Sequence, residues 1–257
     1  MKVMTRDAWL ARHPYLQPVA DVHRLVEAAA AKIPLAPAAI PDWTRYADDF
    51  RAGVPLLHSE SAGVDLAAAD VAVDTLVKAM GSSSSPLLET LAEQCRQSHP
   101  GLIRYLAWIV VARYVGPLVS AFDEWRNEDH WLRNYCPSCG EPPAMAQLIG
   151  KDPGRLRKLS CGRCATRWRY RRTGCPFCED QDGHRLDALA IEGDAELRID
   201  YCEACRGYLK TYDGEGNEGL MLADWTSLHL DLIAGDRGLK RKAASLYDLE
   251  ASLTQSR

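Results

Sequence analysis

The sequence has no uninterrupted apolar run long enough to cross a bilayer. Its longest uninterrupted run, residues 105–112, lies between Arg104 and Arg113, well short of the roughly 20 residues that a spanning helix needs. The opening residues, from Met1 to Leu10, carry no apolar core of the secretory type. Basic charge is not in excess either. With 31 Lys and Arg against 35 Asp and Glu, the formal net charge is −4, so the whole chain has no bias toward nucleic acid or acidic lipid. No Ser/His/Asp set, paired-carboxylate motif or glycine-rich phosphate loop stands out, and the sequence leads us to expect a protein that is not an enzyme. The rest is ordinary for a globular protein. The 257 residues are 47% hydrophobic and 26% charged, enough for one large domain or two smaller ones.

Paired cysteine is what the sequence has in excess. Eight of the nine cysteines form four Cys-x-x-Cys pairs: Cys136 with Cys139, Cys161 with Cys164, Cys175 with Cys178, and Cys202 with Cys205. A single pair is ambiguous between redox, metal and chance. Four pairs in one region point to metal. Two intervening residues let a tight turn present both sulfurs to one ion, and Pro137 and Pro176 preset the first corner of such turns. Gly140 and Gly207 follow at places where a left-handed φ is expected. Clustered pairs without a secretory segment suit a reducing cytoplasm rather than a disulfide framework.

The pairs also form an internal repeat. The span from Cys136 to Cys161 nearly equals that from Cys175 to Cys202. Residues 144–149 and 155–159 read as one hairpin around the 150–154 loop. Residues 189–191 and 197–201 read as a second around Gly193-Asp194. Each hairpin would return its second cysteine pair to its first. Sequential pairing into two metal knobs is therefore favoured over a cross-brace joining pairs one with three and two with four. The lone Cys95 reads as a buried core thiol.

Residues 1–130 read as a helical domain. Val19, Val22, Val26, Ala29 and Ile33 lie on one face of a helix after Pro18. Trp43, Tyr46, Ala47 and Phe50 follow Asp42, an expected N-cap. Leu66, Ala69, Val73, Leu76, Val77 and Met80 form the clearest stripe, which Gly81 ends. After the serine run 82–85, with Ser85 a possible cap, Pro86 opens a helix carrying Leu87, Leu88, Leu91 and Cys95. A longer helix from about Leu102 is expected to break or kink at Gly116-Pro117. His13, His23, His58, His99 and His130 have no ligand spacing among themselves and read as ordinary.

From residue 131 turns and cysteines replace helical periodicity, and the metal-binding region extends to residue 213. Residues 214–257 form a C-terminal segment, with helices expected at 224–234 (Trp225, Leu228, Leu232 and Ile233 inward) and 238–253. Within the metal region Arg163, Arg167, Arg169, Arg171 and Arg172 crowd together after Arg155, Arg157 and Lys158. Trp168 and Tyr170 alternate with the arginines, so a strand would put aromatics on one face and guanidinium groups on the other. That basic face could meet nucleic acid or an acidic partner, or simply balance anionic metal–thiolate sites.

Cys136-Pro-Ser-Cys139-Gly-Glu-Pro-Pro, Leu159-Ser-Cys161-Gly-Arg-Cys164 with Trp168, Cys175-Pro-Phe-Cys178, Cys202-Glu-Ala-Cys205-Arg-Gly-Tyr-Leu-Lys210 and the segment from Ala223 to Leu232 together resemble the formate dehydrogenase accessory protein family, FdhE, over residues 135–235. Trp225 departs from the pattern, which leads one to expect a second acidic residue after Asp224. The resemblance implies a cytoplasmic maturation factor that contacts the catalytic subunit of a respiratory formate dehydrogenase. It also implies rubredoxin-like sites that can hold iron. The expected fold is thus α+β: a helical domain, two rubredoxin- or zinc-ribbon-like knobs and C-terminal helices. Two metal ions per chain are expected, iron favoured by the resemblance and zinc also suited to four thiolates. The competing readings are a nucleic-acid-binding zinc ribbon, a rubredoxin-like electron carrier and, least supported, a thiol–disulfide enzyme.

Overall fold

Six helices build the N-terminal half in this computed structural model, which describes residues 4–97, 100–151 and 153–245. They are α1 (Arg6–Arg12), α2 (Gln17–Ala31), α3 (Trp43–Ala52), α4 (Ala67–Gly81), α5 (Pro86–Arg96) and α6 (Pro100–Trp125). Asp42 caps α3 as expected, its carboxylate accepting from the Thr44 N–H, and Gly53 ends that helix at a φ of 88°. Ser85 occupies the cap position of α5 but makes no side-chain cap bond.

Helix α6 runs through the middle of this half and packs on α2, α4 and α5. It continues through Pro117 without the expected break. Val115, Leu118, Val119 and Phe122, on both sides of the proline, are buried. Burying both halves of the helix outweighs the roughly 3 kcal/mol local cost of an internal proline. Among the described residues α6 is the one helix long and apolar enough to cross a membrane, and 56% of its apolar stretch is buried inside the protein. Arg113, which bounds the expected short run, lies within the helix and donates to the carbonyls of Ala30 and Ile33 at the end of α2. A cation there is favourable because the last carbonyls of a helix lack partners.

The C-terminal half is one six-stranded sheet: β1 (Met145–Ile149), β2 (Leu156–Ser160), β3 (Arg167–Tyr170), β4 (Leu186–Ala190), β5 (Leu197–Cys202) and β6 (Tyr208–Asp213). Both expected hairpins form, with Ala146 opposite Leu159 and Leu189 opposite Ile199. The strand order is β3-β2-β1-β6-β5-β4. Every pairing is antiparallel except the seam between β1 and β6, which is parallel and sets Met145 beside Lys210. The two expected knobs are therefore halves of one sheet. The fold is α+β.

Two main cores flank this sheet. The larger is continuous from the helices into Cys136, Cys139, Cys161, Trp168 and Tyr170. Stacked rings run through it, Trp43 on Trp125 at 5.2 Å within the helices and Phe50 on Trp131 at 5.3 Å where the helices meet the second half. The smaller core brings α1 across to the second half, with Trp9, Leu10 and Leu16 against Ile199, Tyr208, Tyr212 and Trp225.

Beyond the sheet lie the short α7 (Glu218–Met221), a 3-10 turn at Asp224–Ser227, and α8 (Leu228–Asp236). Trp225 is buried as expected, but Leu232 points outward at 73% exposure while Leu230 and Ala234 face the core. The 3-10 turn shifts the helical phase, which moves the buried stripe off Leu232. The helix expected at 238–253 does not form over residues 238–245, where Lys240 instead bridges Gly207 at the edge of the second half. Gly238, at a φ of 66°, ends the helical path. The remainder of that expected helix, like His99, lies outside the described residues.

Candidate metal centres

The four Cys-x-x-Cys segments adopt one local structure. In each, the carbonyl of the first cysteine accepts from the N–H four residues on: Gly140, Ala165, Glu179 and Arg206, at 2.8–3.2 Å. The first cysteine's own N–H donates to the carbonyl of the following residue: Glu141, Thr166, Asp180 and Gly207. Closing this knuckle forces the residue after the second cysteine to a left-handed φ, 75° at Gly140, 59° at Ala165 and Glu179, and 58° at Arg206. These are the three non-glycine residues with positive φ among the described residues, and such a conformation costs each about 1 kcal/mol. Gly140 thus meets its expectation. In the last knuckle the left-handed position falls on Arg206, one residue earlier than expected. Gly207 is needed for room, since a Cβ there would lie 2.7 Å from the Phe177 ring.

The hairpins bring the knuckles together in sequential pairs. Cys136, Cys139, Cys161 and Cys164 form one cluster and Cys175, Cys178, Cys202 and Cys205 the other, each with sulfurs within 4.8 Å of one another. In the first, Cys136 lies 3.5 Å from Cys164 and Cys139 3.4 Å from Cys161. In the second, Cys175 lies 3.7 Å from Cys205 and Cys178 3.8 Å from Cys202. Metal–sulfur bonds of about 2.3 Å in tetrahedral array space the sulfurs about 3.8 Å apart. The clusters fit such an ion, and each can hold one. All eight cysteines are free of disulfides. Backbone N–H groups of Arg163, Phe177 and Gly207 point at Cys161, Cys175 and Cys205, each at 3.4 Å, which favours thiolate over thiol.

Burial drives the Cys136 thiol well above its ordinary pKa, while hydrogen bonds from the other three cysteines hold Cys164 well below. At Cys178 burial opposes ionisation, but the Asp180 N–H and neighbouring thiols outweigh it and lower the pKa. Without an ion, each cluster divides its protons unevenly among its sulfurs. A metal replaces them.

The arginine-rich strand has the expected sides, with Trp168 and Tyr170 buried. Most of its cations already have partners within the chain. Arg169 pairs with Asp129 and Lys158 with Glu128. Arg163 pairs with Glu141 and Arg155 with Asp213. Arg167 donates to the buried Gln147 side chain. Arg157 is buried and donates to the carbonyls of Arg171 and Gly174, steadying the loop that enters Cys175.

A second charged group was not foreseen from the sequence. Lys210, fully buried on β6, contacts Asp224 at 2.5 Å and Asp231 at 2.9 Å, and Arg241 reaches the same two carboxylates at 2.9 and 2.8 Å. Ser245 donates to Asp224 and Tyr208 to Asp231. Burial would raise the Asp224 pKa, but Lys210 and Arg241 hold it far below the usual carboxylate range. Asp224 therefore has its acidic companion in space, at Asp231, while Trp225 fills the smaller core. A lysine within an apolar strand and two aspartates seven positions apart were the available signal.

A helical body holding two tetracysteine clusters on one sheet makes this a knuckle protein with two sites able to hold metal. Residues 135–172 match the family model described as FdhE, central domain. The "Protein FdhE homolog" of Pseudomonas aeruginosa is 37% identical over 125 residues, covering 44% of this chain and 39% of that protein. The homolog of Aquifex aeolicus is 32% identical over 131 residues, covering 49% and 46%. That of Stutzerimonas stutzeri is 39% identical over 121 residues, covering 43% and 37%. The matched segment thus spans less than half the length of each of these relatives. The crystal structure of the FdhE protein from Pseudomonas aeruginosa has the same fold, with a TM-score of 0.61 and 23% identity over 95% of this chain and 97% of that one. The family model and the relatives make the metal-binding region of this chain similar to FdhE proteins, and the crystal structure shares its fold.

Proposed function

We propose that the protein is a cytoplasmic, non-enzymatic accessory factor that binds the catalytic subunit of a respiratory formate dehydrogenase during assembly. All eight paired cysteines ligate two metal ions, one per cluster. The observation that carries this reading is the paired clusters, each with sulfurs at metal-ligand spacing, on a single sheet in a chain whose residues 135–172 match the FdhE central-domain model. Metal fixes the loops before a client arrives, so their ordering does not weaken binding. In this reading residues 131–213 are the metal-dependent part, residues 1–130 the helical support, and residues 214–257 the closing segment.

The internal pairing of the arginine strand removes most of the surface that nucleic acid would use. Arg171 and Arg172 are exposed at the end of this strand. The test is a pull-down with the metal-loaded chain from cells making a formate dehydrogenase, beside binding to mixed DNA and RNA at the same ionic strength. Recovery of the dehydrogenase catalytic subunit supports the proposal. Tight nucleic-acid binding with no dehydrogenase recovered overturns it. Metal analysis and an optical spectrum of protein purified without oxygen distinguish iron from zinc.

A further inference from the structure

Outside the cysteine clusters, one more set of ligating side chains converges from three distant parts of the chain. His13 ends α1, Asp194 lies in the turn between β4 and β5, and His229 lies in the first turn of α8. His13 is 7% exposed and Asp194 4%, and the His229 side chain is 14% exposed. His13 Nε2 lies 3.1 Å from Asp194 Oδ1, and His229 Nε2 lies 3.2 Å from Asp194 Oδ2. The two imidazoles stack at 5.2 Å.

We propose that His13, Asp194 and His229 form a third metal site, which takes a divalent ion of zinc type through two imidazole nitrogens and a carboxylate. Each ligand atom lies within 4.8 Å of the others. Bonds of about 2.0–2.2 Å in tetrahedral array put nitrogen and oxygen ligands about 3.3 Å apart, close to the two separations observed. His13 Nε2 is buried and, despite its nearness to Asp194, makes no hydrogen bond. The other ring nitrogen, Nδ1, sits 2.8 Å from the Tyr15 hydroxyl. When Nδ1 carries the proton and donates it to Tyr15, Nε2 is left free for a metal.

The surroundings agree with this donor set. Burial, ahead of the opposing pull of Asp194, lowers the pKa of both histidines and favours the neutral form that ligates. Arg12 is the cation at the site. It reaches Asp194 Oδ1 at 3.0 Å and the Gly193 carbonyl at 3.1 Å. It approaches from the solvent side, with its side chain 43% exposed, and orients the carboxylate while Oδ2 faces His229. With no sulfur among the ligands, this site suits imidazole-preferring ions and is chemically distinct from the thiolate clusters. An ion here would fasten α1 and α8 to the tip of the second hairpin, over the smaller core.

The test uses the full chain with both cysteine clusters filled with zinc. Added zinc is followed by calorimetry and metal analysis, and its position by anomalous diffraction at the zinc edge. One further ion per chain, centred among His13, Asp194 and His229, is expected. Asp194→Asn and His229→Gln should each abolish it and retain both cluster-bound ions. Failure of the wild type to take up the ion, an ion bound elsewhere, or its retention in both variants would overturn the proposal. Should Asp194→Asn also lose the cluster ions through misfolding, His229→Gln decides alone.

Discussion

The two cysteine clusters share one knuckle design and sit in very different surroundings. In the first, Cys136, Cys139 and Cys161 are buried and belong to the main core. The chain after α3 clasps its first knuckle, with Leu56 and Leu57 donating to the carbonyls of Pro137 and Ser138 at 2.9 and 2.8 Å. The Ser138 and Thr166 hydroxyls bond to each other beneath the sulfurs at 2.8 Å. In the second, Cys178 is exposed and Cys205 half-buried, and both line a cleft with Tyr135, Pro142, Phe177 and Lys242. Identical coordination geometry thus serves two ends. An ion in the first cluster would be part of the core, and one in the second would stand at the surface, where a chelator, an oxidant or a partner can reach it.

The largest effect should come from emptying the first cluster. Replacing Cys136 and Cys139 by serine should halve the metal content. It should also remove stability on the order of 10 kcal/mol and loosen the helices that share its core. The corresponding Cys202 and Cys205 double variant should lose one ion and keep most helical signal. Metal analysis with far-UV circular dichroism checks both, and equal loss of helix in the two variants would break the comparison.

Acid should attack the second half by a separate route. The folded-state pKa of Asp224 is depressed by Lys210 and Arg241. Its contribution is present above the ordinary carboxylate pKa and is lost as pH falls toward the depressed value. Asp224→Asn should cost about 3–5 kcal/mol, since it strands buried cations, and should flatten the acid limb of stability. Denaturation midpoints across pH give the measure. A variant that keeps the wild-type acid limb would assign that limb to other carboxylates.

Exchange should separate the clusters more gently. A chelator should withdraw the second ion on the order of tenfold faster than the first, because local opening is easiest where burial is least. Thiol-specific alkylation with mass mapping should then find Cys178 modified before any cysteine of the first cluster. The smallest effect concerns the knuckles. Ala165→Gly and Glu179→Gly relieve a left-handed φ but loosen the unfolded chain, for a net gain of about 0.5 kcal/mol each. Thermal unfolding of metal-loaded protein should resolve the gain at Ala165 more clearly than at Glu179, whose carboxylate also accepts from Asn134.

The knuckles and both hairpins were legible in the sequence because their determinants are local: two-residue cysteine spacing, turn residues and short alternating strands. Strand β6 was not. Lys210 and Thr211 interrupt its apolar pattern, yet both are fully buried, their partners lying on β5, the 3-10 turn and α8. The parallel seam joins residues far apart in sequence, where no spacing rule operates. The arginine strand read as a single basic face because Asp129, Glu128 and Asp213, which neutralise much of it, come from other segments. His13 read as ordinary for the same reason, since Asp194 and His229 meet it only after α1 crosses to the second half.

The seam also decides how the array could grow. β1, β2 and β3 correspond to β4, β5 and β6, each holding the same place relative to its knuckles. The seam therefore joins a first strand to a third strand, and the halves are related by displacement along the sheet rather than by a two-fold turn. Such a head-to-tail relation does not close on itself. It leaves a third-strand border at β3 and a first-strand border at β4, complementary in kind. Arg126 donates to the Arg167 carbonyl on β3, and the Glu128–His130 turn packs beside that strand. On β4 the Asp187 carboxylate takes the N–H of Ala188 at 2.7 Å and puts charge on the outermost strand. This pair of stoppers occupies both borders of the sheet, although the geometry of the repeat itself would admit another unit.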